Sequence, residues 1–440
     1  RISLIKDMLE NGRPADEKVV THIDRCLSCL ACMTTCPSGV HYMHLVDHAR
    51  AHIEKTYKRP FFNRLTRNVL AAVLPYPERF RASLYAAKIG RPFAGLFKTI
   101  APLKAFGAML ELAPKTIERP SAVSQPGTHA PVAEKRGRVA ILTGCAQPVL
   151  KPGINEATIR LLTRLGVEVV VPEGEGCCGA LVHHMGREEQ AMADARRNVD
   201  AWMRQVDRGG LDAIIITASG CGTTVKDYGW MLREDAAYAG KAARVSELAK
   251  DITEYLASIE LPEPAVKSNL TVAYHSACSM QHGQKITAAP KNLLKAAGFQ
   301  VKDPAEGHLC CGSAGTYNIM QPEISAQLKT RKVRNIEATK PDAIATGNIG
   351  CITQIASGTD IPILHTVELL DSERLRSQLA GLERRTSRGG KDVVDHAVGG
   401  HDDVVNAAAG ALVMAMRSVN QEIHMWGGDL DRSDDEDAAL

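Results

Sequence analysis

The sequence has little net charge and no long apolar run, and both features limit what the chain can be. Its 440 residues carry a net charge of +3, which is small for this length and favours neither a nucleic-acid partner nor a polyanion. No run of about 18 apolar residues occurs, so no transmembrane helix is predicted and any membrane contact must be peripheral. A chain of this length is expected to form about two to four domains.

The opening residues also lack an apolar signal segment, which bears on the twelve cysteines. Disulfide frameworks are typical of small secreted domains, so six disulfides are not expected here. Four cysteines form a C-x2-C-x2-C-x3-C-P run, and these are Cys26, Cys29, Cys32 and Cys36. Zinc also binds C-x2-C pairs, but the third cysteine and a fourth before proline favour a [4Fe-4S] cluster.

The other eight cysteines form two copies of one pattern. A lone cysteine is followed after 32 residues by a Cys-Cys-Gly triplet. A last cysteine lies 44 residues beyond the first of the pair in one copy and 41 in the other. The copies are Cys145, Cys177, Cys178 and Cys221, and Cys278, Cys310, Cys311 and Cys351. This spacing favours cluster ligands, while a redox-active thiol pair or buried free cysteines are the alternatives. Gly179 and Gly312 are expected to release backbone N–H groups toward the cluster.

Two-cluster ferredoxin modules use paired runs, because the fourth cysteine of each run binds the other run's cluster. Only one run is present in this sequence, and we expect a second one upstream of Arg1. On this interpretation Cys26, Cys29 and Cys32 hold one cluster and Cys36 belongs to another.

Residues 55–104 are basic and aromatic. They carry eleven Lys or Arg but only one acid, Glu78, and prolines interrupt the helical stretches predicted at 61–74 and 78–89. Such a surface suits an anionic membrane interface, a quinone headgroup region or a partner subunit. A helical linker that packs on its own protein is the alternative. Residues 114–138 are predicted to be a linker.

Strands and helices then alternate through both cysteine repeats. Strands are predicted at 138–143, 167–171, 213–217, 270–274, 299–302 and 343–346, and helices at 154–165, 187–206, 291–297 and 323–338. Each cysteine falls at a strand end or a helix start, where open α/β sheets place ligands. The predicted fold class is α/β, with a truncated α-helical ferredoxin-type module and two duplicated α/β Cys-Cys-Gly lobes that face each other. The predicted domains are 1–54 (ferredoxin-type), 55–137 (basic helical segment and linker), 138–262 and 263–370 (the two lobes), and 371–440 (a foreign-looking tail).

Longer stretches of sequence indicate which family of Cys-Cys-Gly proteins this chain resembles. The run from Cys26 to Tyr42, both Cys-Cys-Gly repeats, and the phrases that begin at Glu175 and Gln281 together resemble the iron–sulfur subunit of bacterial glycolate oxidase (glycolate dehydrogenase). The resemblance covers about residues 1–370. The Cys-Cys-Gly repeat alone is shared with heterodisulfide reductase, anaerobic glycerol-3-phosphate dehydrogenase and lactate-utilisation proteins.

The resemblance implies an electron-transfer subunit with [4Fe-4S] clusters, peripheral on the inner, cytoplasmic face of the cell membrane. In that family a separate subunit with FAD oxidises glycolate, and the iron–sulfur subunit passes electrons toward the quinone pool. The resemblance places [4Fe-4S] ligands at the four cysteines of the ferredoxin run and ligand positions at the eight repeat cysteines. The sequence shows no flavin fingerprint, so no catalytic residue is expected in this chain.

Two further interpretations concern function and the tail. A heterodisulfide- or thiol-reducing enzyme with a Cys-Cys-Gly cluster as its catalytic centre is the alternative function. Such an enzyme needs an open site and a substrate cleft, whereas a relay needs insulated clusters.

From about Ser372 the sequence resembles the C-terminal end of a phage terminase large subunit. There Asp402 or Asp403 would bind a metal, but the other acidic strands are missing, so nuclease activity is not expected. Part of this tail is expected to be disordered.

Overall fold

The structure is a computed structural model that describes residues 1–100, 103–114, 116–259, 261–262 and 270–371, together with two strands at 382–386 and 392–396. The chain divides into two compact units, Arg1–Asp371 and Ser372–Leu440. Within the described residues, no helix is both long enough and apolar enough to cross a membrane. All twelve cysteines lie in the first unit.

Four helices form the N-terminal part of the chain, where the sequence predicts the ferredoxin-type module. Apolar side chains from the helices close a small core around Ile5, Ile23, Val46 and Ile53. The second helix begins where the Asp16 carboxylate accepts a hydrogen bond from the backbone of the following turn. The helices are α1 (Ile2–Glu10), α2 (Glu17–Asp24), α3 (Ala31–Thr35) and α4 (Tyr42–Thr56).

The basic segment is helical, and its apolar side chains divide between two environments. Some face the interior, whereas Tyr85, Ile89, Phe93, Leu96 and Ile100 recur at helical spacing and are 43–79% exposed. Its helices are α5 (Phe61–Val73), α6 (Pro77–Gly90), α7 (Ala94–Thr99) and α8 (Lys104–Leu112), with a 3-10 turn at Arg91–Phe93. Helix α6 begins at Pro77, where proline costs no backbone hydrogen bond.

The first lobe is a five-stranded sheet with helices on it. The strand order is β1-β3-β2-β4-β5, parallel except for β1. The strands are β1 (Gly127–His129), β2 (Gly137–Ile141), β3 (Val167–Val171), β4 (Ala213–Ile216) and β5 (Ala249–Asp251). The helices are α9 (Gln147–Leu150), α10 (Gly153–Arg164), α11 (Ala180–His184), α12 (Glu188–Gly209), α13 (Ser219–Lys226), α14 (Tyr228–Met231), α15 (Ala239–Leu248) and α16 (Ile252–Ser258). Strand β1 corrects the linker prediction for residues 114–138.

The second lobe repeats the first with four parallel strands in the order β7-β6-β8-β9. The strands are β6 (Thr271–Tyr274), β7 (Gln300–Lys302), β8 (Ala343–Thr346) and β9 (Ile363–His365). The helices are α17 (Ala289–Ala296), α18 (Tyr317–Met320), α19 (Pro322–Glu337) and α20 (Ile349–Ala356), with a π-helical turn at Ser279–Gly283. The α/β fold class and the duplication are therefore confirmed.

The lobes face each other across the carboxyl ends of their central strands. Residues of both sheets belong to one continuous apolar core. Beyond β4, the Ser219 amide donates to the Gly347 carbonyl (3.1 Å), and the Ser219 and Ser279 hydroxyls are hydrogen-bonded at 2.7 Å. The His365 ring also bonds the Thr217 carbonyl at 2.7 Å. These bonds bring together the two strand ends that carry the last cysteine of each repeat.

In the second unit, β10 (Leu382–Thr386) pairs antiparallel with β11 (Asp392–His396). The terminase-like residues Asp402 and Asp403 lie outside the described residues.

Candidate metal centres

In the first lobe, the four repeat cysteines form a continuous chain of thiols. The Cys145 thiol is close enough to Cys177, the first of the vicinal pair, for each to shift the other's pKa. The thiol of Cys178, the second, interacts in the same way with Cys177 and Cys221. Adjacent cysteines point in different directions, so each member of the pair reaches a different partner thiol. The 32-residue spacing predicted from sequence therefore brings four sulfur atoms to one place.

The second lobe builds the same arrangement. The Sγ atoms of Cys278 and Cys310 lie 3.7 Å apart, and the Cys311 thiol is close enough to Cys310 and Cys351 for these thiols to raise its pKa. A disulfide bond is about 2.05 Å long, and all twelve cysteines are free thiols. The two repeats thus present two separate sets of four free thiols.

The glycine after each vicinal pair is required by the backbone. Gly179 and Gly312 have φ of +83° and +90°, a region that residues with a Cβ rarely adopt. A Cβ at Gly312 would lie 2.6 Å from the Ser325 carbonyl oxygen of α19, and one at Gly179 would lie 3.1 Å from that of Ala191 in α12. The Gly312 N–H donates to the Cys310 sulfur at 3.4 Å, and its role toward a bound cluster stays a prediction.

The thiols within each set differ in pKa. Hydrogen bonds from Cys145 and Cys178 lower the pKa of Cys177, and those from Cys278 and Cys311 do the same for Cys310. Metals bind the thiolate rather than the thiol. In the second lobe, Cys311 and His275 also lower the pKa of Cys351, to about 5. Each set therefore contains at least one thiol, the first cysteine of its pair, that ionises readily.

The first three cysteines of the ferredoxin run, Cys26, Cys29 and Cys32, lie on or beside a loop with a strained backbone. Ser28 and Leu30 have φ of 50° and 60°, which side chains seldom adopt and which costs on the order of 1 kcal/mol each. Burial and the nearby thiols, Cys26 among them, raise the pKa of Cys29 and of Cys32. By contrast, the backbone amides of Val40 and Ser38 lower the pKa of Cys36. The assignment of Cys36 to a different cluster stays a prediction.

One cavity of about 770 Å³ adjoins both thiol sets. All eight repeat cysteines and Cys26 line it, and its remaining wall is largely apolar side chains of α5, α6 and α8, such as Leu70, Leu84 and Met109. The Cys29 thiol of the ferredoxin run is close enough to Cys310 and Cys278 to affect ionisation. The ferredoxin run therefore lies next to the second-lobe thiols.

The donor chemistry fits iron–sulfur clusters. Each repeat offers four thiols, and backbone or side-chain N–H groups point at sulfur, including the Asn348 amide at 3.4 Å from Cys351 Sγ. Such N–H groups stabilise the negative charge of a cluster. The residues that would hold the clusters are the repeat cysteines and the ferredoxin run.

Sequence reasoning missed a histidine at the second-lobe site. A ring nitrogen of His275 and the Sγ atoms of Cys311 and Cys351 all lie within 4.8 Å of one another, and all three residues are buried. The available signal was its place in the repeat, three residues before Cys278, where the first lobe has Leu142. His44, in contrast, packs away from the thiols, stacked on Trp230 and bonded to Asp227 at 2.9 Å.

Comparison with known proteins finds the same repeats and a close relative. The cysteine-rich domain family CCG matches residues 139–226 and 272–356. The glycolate oxidase iron–sulfur subunit of Escherichia coli (strain K12) is 41% identical over 371 residues, which cover 84% of this chain and 86% of that protein. The probable glycolate oxidase iron–sulfur subunit of Bacillus subtilis (strain 168) is 29% identical and covers 82% of each chain. Lactate utilization protein A of Bacillus licheniformis is 26% identical, over 53% of this chain and 99% of that protein.

The first of these relatives is aligned over more than four-fifths of both chains, and the alignment is long enough to include more than the shared Cys-Cys-Gly repeats. This confirms the resemblance read from the ferredoxin run and the longer phrases. The chain belongs to the family of glycolate oxidase iron–sulfur subunits.

Proposed function

We propose that this chain is the iron–sulfur electron-transfer subunit of a membrane-associated glycolate (2-hydroxy-acid) dehydrogenase, which passes electrons from a flavin subunit toward the quinone pool. The observation that carries the proposal is the convergence of two four-thiol sets on one cavity, with the ferredoxin run beside the second set. Bound at these thiols, [4Fe-4S] clusters supply reversible one-electron storage.

The chain's own residues hold and insulate these sites. Six of the eight repeat cysteines are buried, and the other two, Cys221 and Cys278, are partly buried. The backbone amide of Gly312 donates to the Cys310 sulfur. Glycolate oxidation itself, with its FAD, is assigned to the partner flavin subunit.

Membrane association rests on the exposed apolar stripe. Tyr85, Ile89, Phe93, Leu96 and Ile100 present apolar surface to solvent on α6, the following 3-10 turn, α7 and the residue after α7. Basic residues of the same segment suit the anionic inner face of the cell membrane. On this proposal the segment lies on the membrane with its stripe in the interfacial layer, and the cavity behind it gives an apolar acceptor such as a quinone a route to the thiol sites.

The cavity also supports the second candidate, a heterodisulfide- or thiol-reducing enzyme. That function requires a substrate cleft beside a Cys-Cys-Gly centre, and a 770 Å³ cavity lined by both vicinal pairs meets that requirement. The exposed stripe distinguishes the candidates, because a reductase that works in solution does not need it.

The decisive experiment uses the native complex of this chain with its flavin subunit, purified without oxygen. We expect glycolate alone to produce EPR signals from reduced clusters in this chain, and a quinone analogue to remove them. A complex in which dithionite produces the signals but glycolate does not would contradict the proposal. Turnover of a disulfide substrate with no response to quinone would establish the second candidate instead.

Replacement of two residues of the stripe is expected to weaken membrane binding. The double variant Ile89→Ser/Phe93→Ser removes side chains that are 79% and 56% exposed. If both are buried in the lipid interface, they contribute about 2 kcal/mol together, so binding to vesicles with anionic lipids should fall about 30-fold. Co-sedimentation with vesicles measures it.

The matched control is Val132→Ser, which removes an equally exposed side chain (71%) outside the segment. It should sediment with vesicles as the unmodified complex does. Equal binding of the stripe variant and the control would show that the stripe does not contact the membrane. Ile89 and Phe93 do not line the cavity, so the reduction of the clusters by glycolate should be unchanged in both.

A further inference from the structure

The two lobes can be compared residue by residue, because their backbones make equivalent hydrogen bonds. After β2, the Leu142 amide donates to the Ile215 carbonyl at 2.9 Å. After β6, the His275 amide donates to the Ala345 carbonyl at 2.8 Å. Each residue directly follows the first central strand and precedes the lone cysteine by three positions. The first lobe thus has a leucine where the second has a histidine beside its thiols.

His275 is buried without a full set of partners. It is 2% exposed, and its Nε2 has no hydrogen-bond partner among the described residues. An unpaired buried imidazole nitrogen costs free energy. A ring nitrogen of His275 lies within 4.8 Å of the Sγ atoms of Cys311 and Cys351, so the buried imidazole lies beside the thiol site.

At a second position too, only the second lobe has a nitrogen-bearing side chain beside its thiols. Asn348 immediately precedes α20 and donates its side-chain amide to Cys351 Sγ at 3.4 Å. The equivalent residue before α13 is Ala218, which has no side-chain donor. Cys351 therefore has two nitrogen-bearing neighbours, whereas its counterpart Cys221 has an aliphatic residue at each of these positions.

A third difference lies in the helix behind each vicinal pair. Gly179 contacts Ala191 of α12 and Gly312 contacts Ser325 of α19, which sets the alignment of the two helices. By that alignment Lys332, 1% exposed, occupies the place of Asn198. Burial lowers the pKa of Lys332, while the Cys311 and Cys310 thiols act to raise it. The first lobe also has a cation near its vicinal pair, because Arg197 donates to the Cys177 carbonyl at 3.1 Å. Arg197 is 38% exposed and paired with Asp194 at 2.6 Å, so the cation near the second-lobe thiols is the more deeply buried of the two.

We propose that the two repeat sites are not equivalent and that the second lobe holds its cluster at the higher reduction potential, with His275 as the principal donor to its sulfur ligands. This inference rests on the proposed function. Hydrogen bonds and positive charge near the sulfur atoms stabilise the extra negative charge of a reduced cluster and so raise its potential. The higher potential lies at the site next to the ferredoxin run, where Cys29 approaches Cys310.

The test is an EPR-monitored redox titration of the anaerobic native complex. Signals are assigned to lobes with Cys178→Ser and Cys311→Ser, each of which removes one. We expect the second-lobe signal to have the higher midpoint. His275→Leu, which installs the residue of the first lobe, should retain iron and lower that midpoint so that the reduced-to-oxidised ratio at fixed potential falls at least tenfold, or 59 mV for a one-electron couple.

Asn348→Ala provides an independent variant if His275→Leu does not fold, and it should shift the same midpoint downward by a smaller amount. Leu142→Met is the matched control in the first lobe and should leave the second-lobe midpoint unchanged. Two signals with a common midpoint that neither variant moves would overturn the inference and leave the proposed function standing. If neither lobe gives a signal in the unmodified complex, the proposed function fails as well.

Discussion

Cys311→Ser is expected to remove the second-lobe cluster completely while the fold remains. Cys311 joins Cys310 to Cys351 in the chain of thiols, so its loss interrupts the set at its centre. Serine is similar in size but binds iron poorly in place of thiolate, because soft thiolates are the preferred ligands of iron–sulfur clusters. The protein should lose the iron and acid-labile sulfide of one site and the corresponding EPR signal. Iron analysis and EPR of dithionite-reduced protein measure this.

Cys178→Ser is the same change in the first lobe and should remove the other signal only. Ser313→Ala serves as the control, since it removes a buried hydroxyl two residues along the loop and should keep both signals. In Cys178→Ser and Cys311→Ser, the new buried serine hydroxyl costs about 1–3 kcal/mol if it has no hydrogen-bond partner. A folded lobe of this size tolerates that cost. If Cys311→Ser keeps its iron and both signals, the vicinal pair is not a cluster ligand. The alternative, a redox-active thiol pair, would then be favoured.

The repeats and the central strands could be predicted from the sequence for one physical reason. Central parallel strands are buried on both faces, so they appear as continuous apolar runs. The strands predicted at 167–171 and 343–346 have the same bounds as β3 and β8. The cysteines then follow strand ends, and their fixed spacing places them in the fold without further information.

Three of the four edge strands of the two lobes were missed because they carry no such signal, whereas the fourth, β7, was predicted at 299–302. Strands β1, β5 and β9 have three residues each, and Gly127–His129 shows neither alternation nor an apolar run. Only pairing with β3 makes β1 a strand. Strand formation at these edges depends on tertiary contacts that a local pattern does not contain.

The electrostatics of the basic segment also differ from the sequence interpretation. Eleven cations suggest a basic surface, but Arg59 and Arg67 are directed inward, to Asp24 at the end of α2. Sequence distance hides this pairing, because 35 residues separate Arg59 from its acid. The role of His275 was hidden in the same way, since its neighbour Cys351 lies in a distant part of the chain.

Asp24→Ala is expected to release α5 from the ferredoxin-type module. The Asp24 carboxylate accepts hydrogen bonds from Arg59 at 2.6 and 3.2 Å and pairs with Arg67 Nη2 at 3.1 Å. The three side chains are only 14%, 6% and 9% exposed. Removal of one partner from a buried pair leaves an uncompensated charge and costs about 3–5 kcal/mol, whereas an exposed pair would cost under about 1 kcal/mol.

The local effect should appear as faster amide hydrogen exchange in α5 and α2, with little change in the lobes. Burial acts to raise the pKa of Asp24, but Arg67 and Arg59 outweigh it and the pKa lies below its ordinary value. The carboxylate therefore stabilises the fold above the unfolded-state pKa, and this contribution is lost as the pH falls through the lowered folded-state pKa. The variant should lack that acid-dependent loss.

Asp24→Ala combined with Arg67→Met tests whether the loss of stability in Asp24→Ala comes from the buried Arg67 charge that has lost its carboxylate partner. Methionine keeps much of the apolar stem of Arg67 without its charge, so the double variant should recover part of the protection in α5 that the single variant loses. Arg59 remains charged, and its contact with Glu54 at 3.4 Å offers it another partner. If exchange in α5 is as slow in Asp24→Ala as in the unmodified protein, the ion pair does not hold this helix. The apolar contacts of Leu70 and Ala71 with the first lobe would then be the attachment of the basic segment.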